Sequence, residues 1–117
     1  MIDGAGDLFK TTTFNELYLW VRAKRQEFGM SIDDDISFDE SKDVITRFRK
    51  VVGTMRNAAD ECRDWDELLA MIQDRMEKME DVPNNRNEMV FFAMRNEWVV
   101  SLYNYVMQMT QEGEEDV

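Results

Sequence analysis

A chain of 117 residues, 44% apolar and 11% aromatic, supports one modest hydrophobic core and is too apolar for intrinsic disorder. Its formal net charge of −11 argues against a general phosphate-backbone binder, which needs Lys and Arg in excess. No histidine is present, which removes the commonest general base, most zinc sites and every Ser-His or Cys-His nucleophile pair.

The start, MIDGAGDLFK, has neither the basic opening nor the apolar run of a secretory signal. The longest uncharged stretch, Trp98 to Gln111, is too short to span a bilayer. A single cysteine, Cys62, leaves no internal disulfide and fits a reducing compartment, so the cytoplasm is the expected location.

Residues 1–12 read as a flexible arm containing Gly4 and Gly6. Thr13-Phe-Asn-Glu16 is a capping box, a hydroxyl for the first turn and a Glu three residues on to reach back. The helix it opens is expected over 14–28, with Phe14, Leu17, Tyr18, Val21 and Phe28 inward and Gly29 as its left-handed terminator. After the acidic connection MSIDDDIS, Ser37-Phe-Asp-Glu40 repeats the box and predicts a helix over 38–62. Val44, Phe48, Val51, Met55, Ala58 or Ala59, and Cys62 form its seam, and Gly53 is a potential kink or break. Asp64-Trp-Asp-Glu67 opens a third helix over 64–81, lined by Trp65, Leu68, Leu69, Ile72, Met76 and Met79 and ended at Pro83.

Asn85-Arg-Asn-Glu88 starts the fourth helix, 86–111, after which the chain is expected to fray through Gly113 into an acidic tail, 112–117. Glu97, Ser101, Asn104, Gln108 and Gln111 fall on one narrow line of its wheel, and most of the remainder is apolar. So thin a polar stripe predicts the central member of a single-domain, all-α four-helix bundle over 13–111.

Chemistry is sparse. Cys62 lies on an apolar seam and reads as core, not as a catalytic thiol. The window from Asp33 fits a calcium loop at Asp33, Asp35 and Ser37 but puts Phe38 where Gly belongs and Val44 where Glu belongs, so it fails. No Asp or Glu sits on a strongly apolar face, as a raised catalytic carboxyl would require. A non-enzyme without metal or cofactor is expected.

Charge placement suggests partners. Glu67, Asp74, Glu77 and Asp81 lie on the outer face of the third helix, and Asp33, Asp34, Asp35, Asp39 and Glu40 form a second acidic segment. Steps of three and four residues space such carboxylates by roughly 5 and 6 Å, close to the phosphates of a nucleic-acid strand. That predicts an inhibitor occluding the basic site of a nucleic-acid-handling enzyme, of the sort encoded by phages or mobile elements; small acidic antirestriction proteins are the analogy, with no shared motif. The plainer reading is a solvated face with ordinary i,i+4 pairs.

The alternative is a dimeric or chaperone-like adaptor that uses an apolar flank of Leu19, Trp20, Met94, Trp98 and Tyr105. A third is a nucleic-acid regulator using the band Lys42, Arg49 and Arg56, which the overall field disfavours. Arg95, opposite the polar stripe among apolar neighbours, is expected to need an internal acidic partner.

Overall fold

The computed structural model describes residues 4–10, 12–30, 34–79 and 82–115, excluding the side chains of 34–37 and 112–115. Four α-helices build an all-α bundle: α1 (Phe14–Glu27), α2 (Asp34–Asp60), α3 (Trp65–Glu77) and α4 (Arg86–Glu115). A 3-10 turn, Gly6–Phe9, precedes them, and no strand occurs among the described residues. Contacts within the chain group into two units: Met1–Lys10 with Gly53–Met79 and Glu97–Val117, and Thr11–Val52 with Glu80–Asn96. We call these the acidic-corner unit and the arginine unit. α2 divides at Gly53 and α4 at Glu97, the part of each before that residue belonging to the second unit and the remainder to the first.

Local sequence explains three of the four starts. The Glu16 N–H donates to Thr13 Oγ1 at 3.3 Å. At α3 the Glu67 N–H donates to Asp64 Oδ1 at 2.8 Å, and Glu67 Oε2 accepts from the Arg63 N–H at 2.7 Å. The same two-way pattern opens α4, where Glu88 N–H donates to Asn85 Oδ1 and Glu88 Oε2 accepts from Asn84 N–H. In both, the Glu reaches one residue further back than the simplest capping box.

At the end of α1, Gly29 has φ +70. Met30 N–H bonds Arg25 O at 2.8 Å and Gly29 N–H bonds Gln26 O at 3.0 Å, a Schellman closure that buries Met30.

Three boundaries differ from the sequence expectation by more than two residues, and the potential break in α2 is absent. α2 begins at Asp34, so Ser37 sits inside the helix; acidic residues in a first turn suit the helix dipole and move the start forward. α2 is continuous through Gly53, where an added Cβ would meet open space, so there is neither a break nor a close contact. α3 ends at Glu77, because the Lys78 N–H closes back on Asp74 and Arg75. α4 continues through Gly113 to Glu115.

The acidic-corner unit has an apolar core. Met55, Ala59, Leu68, Ile72, Val99, Leu102 and Val106 are buried, joined by Ala5 and Phe9. Phe9, 1% exposed, meets Trp98 edge-on at 6.2 Å. The expected flexible arm is therefore seated over residues 4–10; one buried aromatic on a single 3-10 turn leaves no periodicity to read.

The arginine unit buries Leu17, Val21, Val44, Ile45, Phe48, Val52, Val90, Phe91, Phe92 and Met94. Val52 is buried in place of Val51: α2 keeps its 3.6-residue period, and a strict heptad seam drifts off it by about 20° per repeat. Within this core Trp20 meets Phe48 at 5.4 Å. Buried α4 residues serve both units, as the central-helix expectation required, and α2 shares that role.

Candidate functional site

Eight residues from Asp60 to Glu67 hold five carboxylates and one arginine, the densest acid run in the described chain. They form the corner between α2 and α3, and every charged side chain in it is exposed. Two of these acids have structural duties: Asp64 caps α3 and Glu67 accepts from the Arg63 N–H. Asp60, Glu61 and Asp66 are exposed beside them. Burial, and then the charges of Glu67, Asp64 and Glu61 in that order, push the Cys62 thiol above its ordinary pKa. Its Sγ lies 3.6 Å from Ala58 O, so Cys62 is a protonated, half-buried structural thiol and the negative potential of the corner falls on it.

Along α3 the outer face carries Asp74 and Glu77, both exposed. Lys78 Nζ pairs with Asp74 Oδ2 at 3.0 Å, an exposed i,i+4 bridge of small energetic weight. Asp81 falls outside the described residues, and α3 ends at Glu77. Beside the corner, the half-buried Trp65 meets Tyr105 edge-on at 6.3 Å.

The second acidic segment belongs to the arginine unit. Asp33 and the side chains of Asp34 and Asp35 lie outside the described residues; Asp39 is exposed. Glu40 is not a free surface acid, because its Oε2 accepts from Arg25 Nη1 at 2.9 Å. Arg25 is buried and also reaches Asn87 Oδ1, and Lys24, equally buried, pairs with Glu27 at 3.0 Å. Arg47 pairs with Glu88 at 3.8 Å and lies 4.6 Å over the Phe91 ring. The buried Arg95 stacks 4.4 Å over Phe92, faces Phe91 at 5.7 Å and donates from Nε and Nη2 to Asn96 Oδ1. Aromatic faces thus share the solvation of Arg95 that the sequence assigned to an acidic partner. Among the described residues every buried side-chain nitrogen and oxygen has a hydrogen-bond partner.

The expected basic band is exposed, but two of its members are engaged locally. Lys42 sits 5.2 Å over the Phe38 ring, Arg49 donates to the Thr12 carbonyl at 3.1 Å, and Arg56 is exposed. The expected apolar flank separates into different environments. Leu19 is 62% and Tyr105 44% exposed, whereas Met94 is 0% exposed and belongs to the core. Its wheel position is on the edge of α4, yet the fold buries it completely. Trp20 and Trp98 are half-buried against Phe48 and Phe9.

Among the described residues no three His, Cys, Asp or Glu side chains are grouped to hold a metal ion. Nor is any helix among them long and apolar enough to cross a membrane. Helix-face periodicity does not single out 60–67, because its acids turn the corner between two helices instead of lining one face. Comparison of the chain with protein-family models, with curated proteins and with solved structures finds no match in any of the three.

Proposed function

We propose that this protein acts without catalysis, by occupying the basic nucleic-acid site of another protein with its own carboxylates. The observation that carries the reading is the exposure of Asp60, Glu61, Asp66, Asp74 and Glu77 on α2, α3 and the corner between them. Fixed carboxylates on a short helix–corner–helix present negative charge without the entropy of a loose acidic tail. Such a surface steers a basic partner electrostatically and weakens with added salt. An origin in a phage or other mobile element belongs to the same proposal, as does a cytoplasmic site of action.

The test uses the whole chain as bait in a bacterial lysate. Capture of a nuclease, polymerase or related protein, released by salt and abolished by combining Asp60→Asn, Glu61→Gln, Asp66→Asn, Asp74→Asn and Glu77→Gln, supports the reading. Capture that persists through both changes overturns it. The runner-up is an adaptor that holds a client through apolar surface. Leu19, exposed on α1, favours it, and its signature is salt-insensitive capture lost in Leu19→Glu.

A further inference from the structure

Residues 4–10 are held differently from the rest of the acidic-corner unit. Their one regular element is the 3-10 turn Gly6–Phe9, a single turn without a side-chain cap. Among the described residues the polar contacts of this segment are all internal. The Leu8 N–H donates to Ala5 O at 3.1 Å, and Lys10 Nζ pairs with Asp7 Oδ1 at 3.2 Å in an exposed i,i+3 bridge. What fastens the segment to the helices is apolar. Ala5 is 0% and Phe9 1% exposed, and Phe9 meets Trp98 edge-on at 6.2 Å. Trp98 is only half-buried with Phe9 in place, so the seat lies at the surface of the unit.

We infer that residues 5–9 are a detachable plug in an apolar socket beside Trp98, an autoinhibitory contact built into the fold. An α-helix of this bundle cannot leave without exposing a whole apolar face to water. The plug leaves by withdrawing two anchored side chains, and it keeps its own hydrogen bond and ion pair when it does. A single 3-10 turn near a chain end, with no polar tie to the helices, belongs to the low-stability end of local opening. Leu68, Ile72, Val99, Leu102 and Val106 remain packed among themselves when it is out.

While seated, the plug closes the socket to any other chain. Once out, it leaves a site for a short turn that presents a phenyl ring, the chemistry of its resident occupant. The tether holds that occupant at an effective concentration in the millimolar range, so an outside ligand enters only against this competition. The inference is independent of the proposed inhibitory role, which rests on carboxylates elsewhere in the unit.

Two measurements on the whole chain test it. In the parent, the Leu8 amide should exchange with deuterium roughly a hundredfold or more faster than the amides of Val99 and Leu102, and low urea should leave its rate unchanged, because the plug opens without the core. In Phe9→Ala the socket is empty, and the Trp98 indole N–H resonance should move from its parental position. A blocked peptide of residues 4–10, added to millimolar concentration, should return that resonance towards the parent; the same peptide carrying Phe9→Ala should not. The parent should take up the unsubstituted peptide roughly tenfold or more weakly than Phe9→Ala does. Leu8 exchange as slow as that of Leu102 overturns the inference, and decides the matter by itself if Phe9→Ala does not fold. A Trp98 resonance indifferent to the unsubstituted peptide, or equal uptake by parent and variant, also overturns it.

Discussion

The two units treat charge in opposite ways. In the arginine unit Lys24, Arg25 and Arg95 are buried, their cations held by Glu27, by Glu40 and Asn87, and by two phenyl faces with Asn96. In the acidic-corner unit the buried residues among those described are all apolar, and the carboxylates from Asp60 to Glu77 are exposed. Turning basic groups inward and acidic groups outward makes the surface more negative than the sequence charge alone conveys. A burial pattern thereby amplifies a composition. It also divides the energetics: one core is held by transfer of hydrocarbon from water, the other partly by stacked and paired cations.

The largest expected effect breaks the apolar side. Leu68 is 0% exposed, and Leu68→Ala should cost about 2–5 kcal/mol in a urea titration, through lost transfer and a residual cavity. Arg95→Ala, at 7% exposure in the other unit, should cost less, about 1–3 kcal/mol from lost stem packing and ring stacking. Arg95→Met, which keeps the stem, should fall between Arg95→Ala and the parent. Equal losses for Leu68→Ala and Arg95→Ala would erase the distinction between the two cores.

A glycine in each unit gives a smaller pair of effects with opposite signs. Gly29 holds φ +70 in the Schellman closure of α1, so Gly29→Ala should destabilise by about 1 kcal/mol. Gly53 is helical with open space where a Cβ would stand, so Gly53→Ala should stabilise by about 0.5–1 kcal/mol. Thermal denaturation of the two variants should move the midpoint down and up respectively.

The smallest effect reads the acidic corner itself. With its pKa raised in the fold, Cys62 retains its proton to higher pH than it does in the unfolded chain. Its contribution to stability is complete below the unfolded pKa and is lost as pH rises through the folded one. Iodoacetamide should therefore label native Cys62 more slowly than the urea-unfolded chain near pH 8, with the gap closing as pH rises. Neutralising Glu67, Asp64 and Glu61 should speed the native reaction, which equal rates before and after would contradict.

Much of this architecture was legible in the sequence, because caps and periodicity are local. Thr13, Asp64 and Asn85 were readable as caps since a short oxygen side chain followed by Glu three residues on satisfies orphan N–H groups wherever it occurs. Ser37 followed the same rule and misled, because the aspartates before it let the helix begin a turn earlier. Val52 was missed by imposing a heptad on a straight helix. Phe9 seats against Trp98, distant in the chain, which no local pattern encodes, whereas Arg95 stacks on Phe92 and Phe91, three and four residues back on its own helix. The acidic corner was visible as composition but not as a site, since only the fold establishes that Asp60, Glu61 and Asp66 are exposed while Glu40 is taken up by Arg25.

Displacement by DNA tests the central claim most directly. Bait loaded with its captured partner is washed with short duplex DNA at constant ionic strength, against an equal charge of a flexible polyanion such as polyglutamate. If the carboxylates from Asp60 to Glu77 stand in for phosphates, duplex DNA releases the partner at concentrations where polyglutamate does not. Release by both equally, or by neither, would contradict occupation of a nucleic-acid site and leave the acidic corner as a solubilising surface.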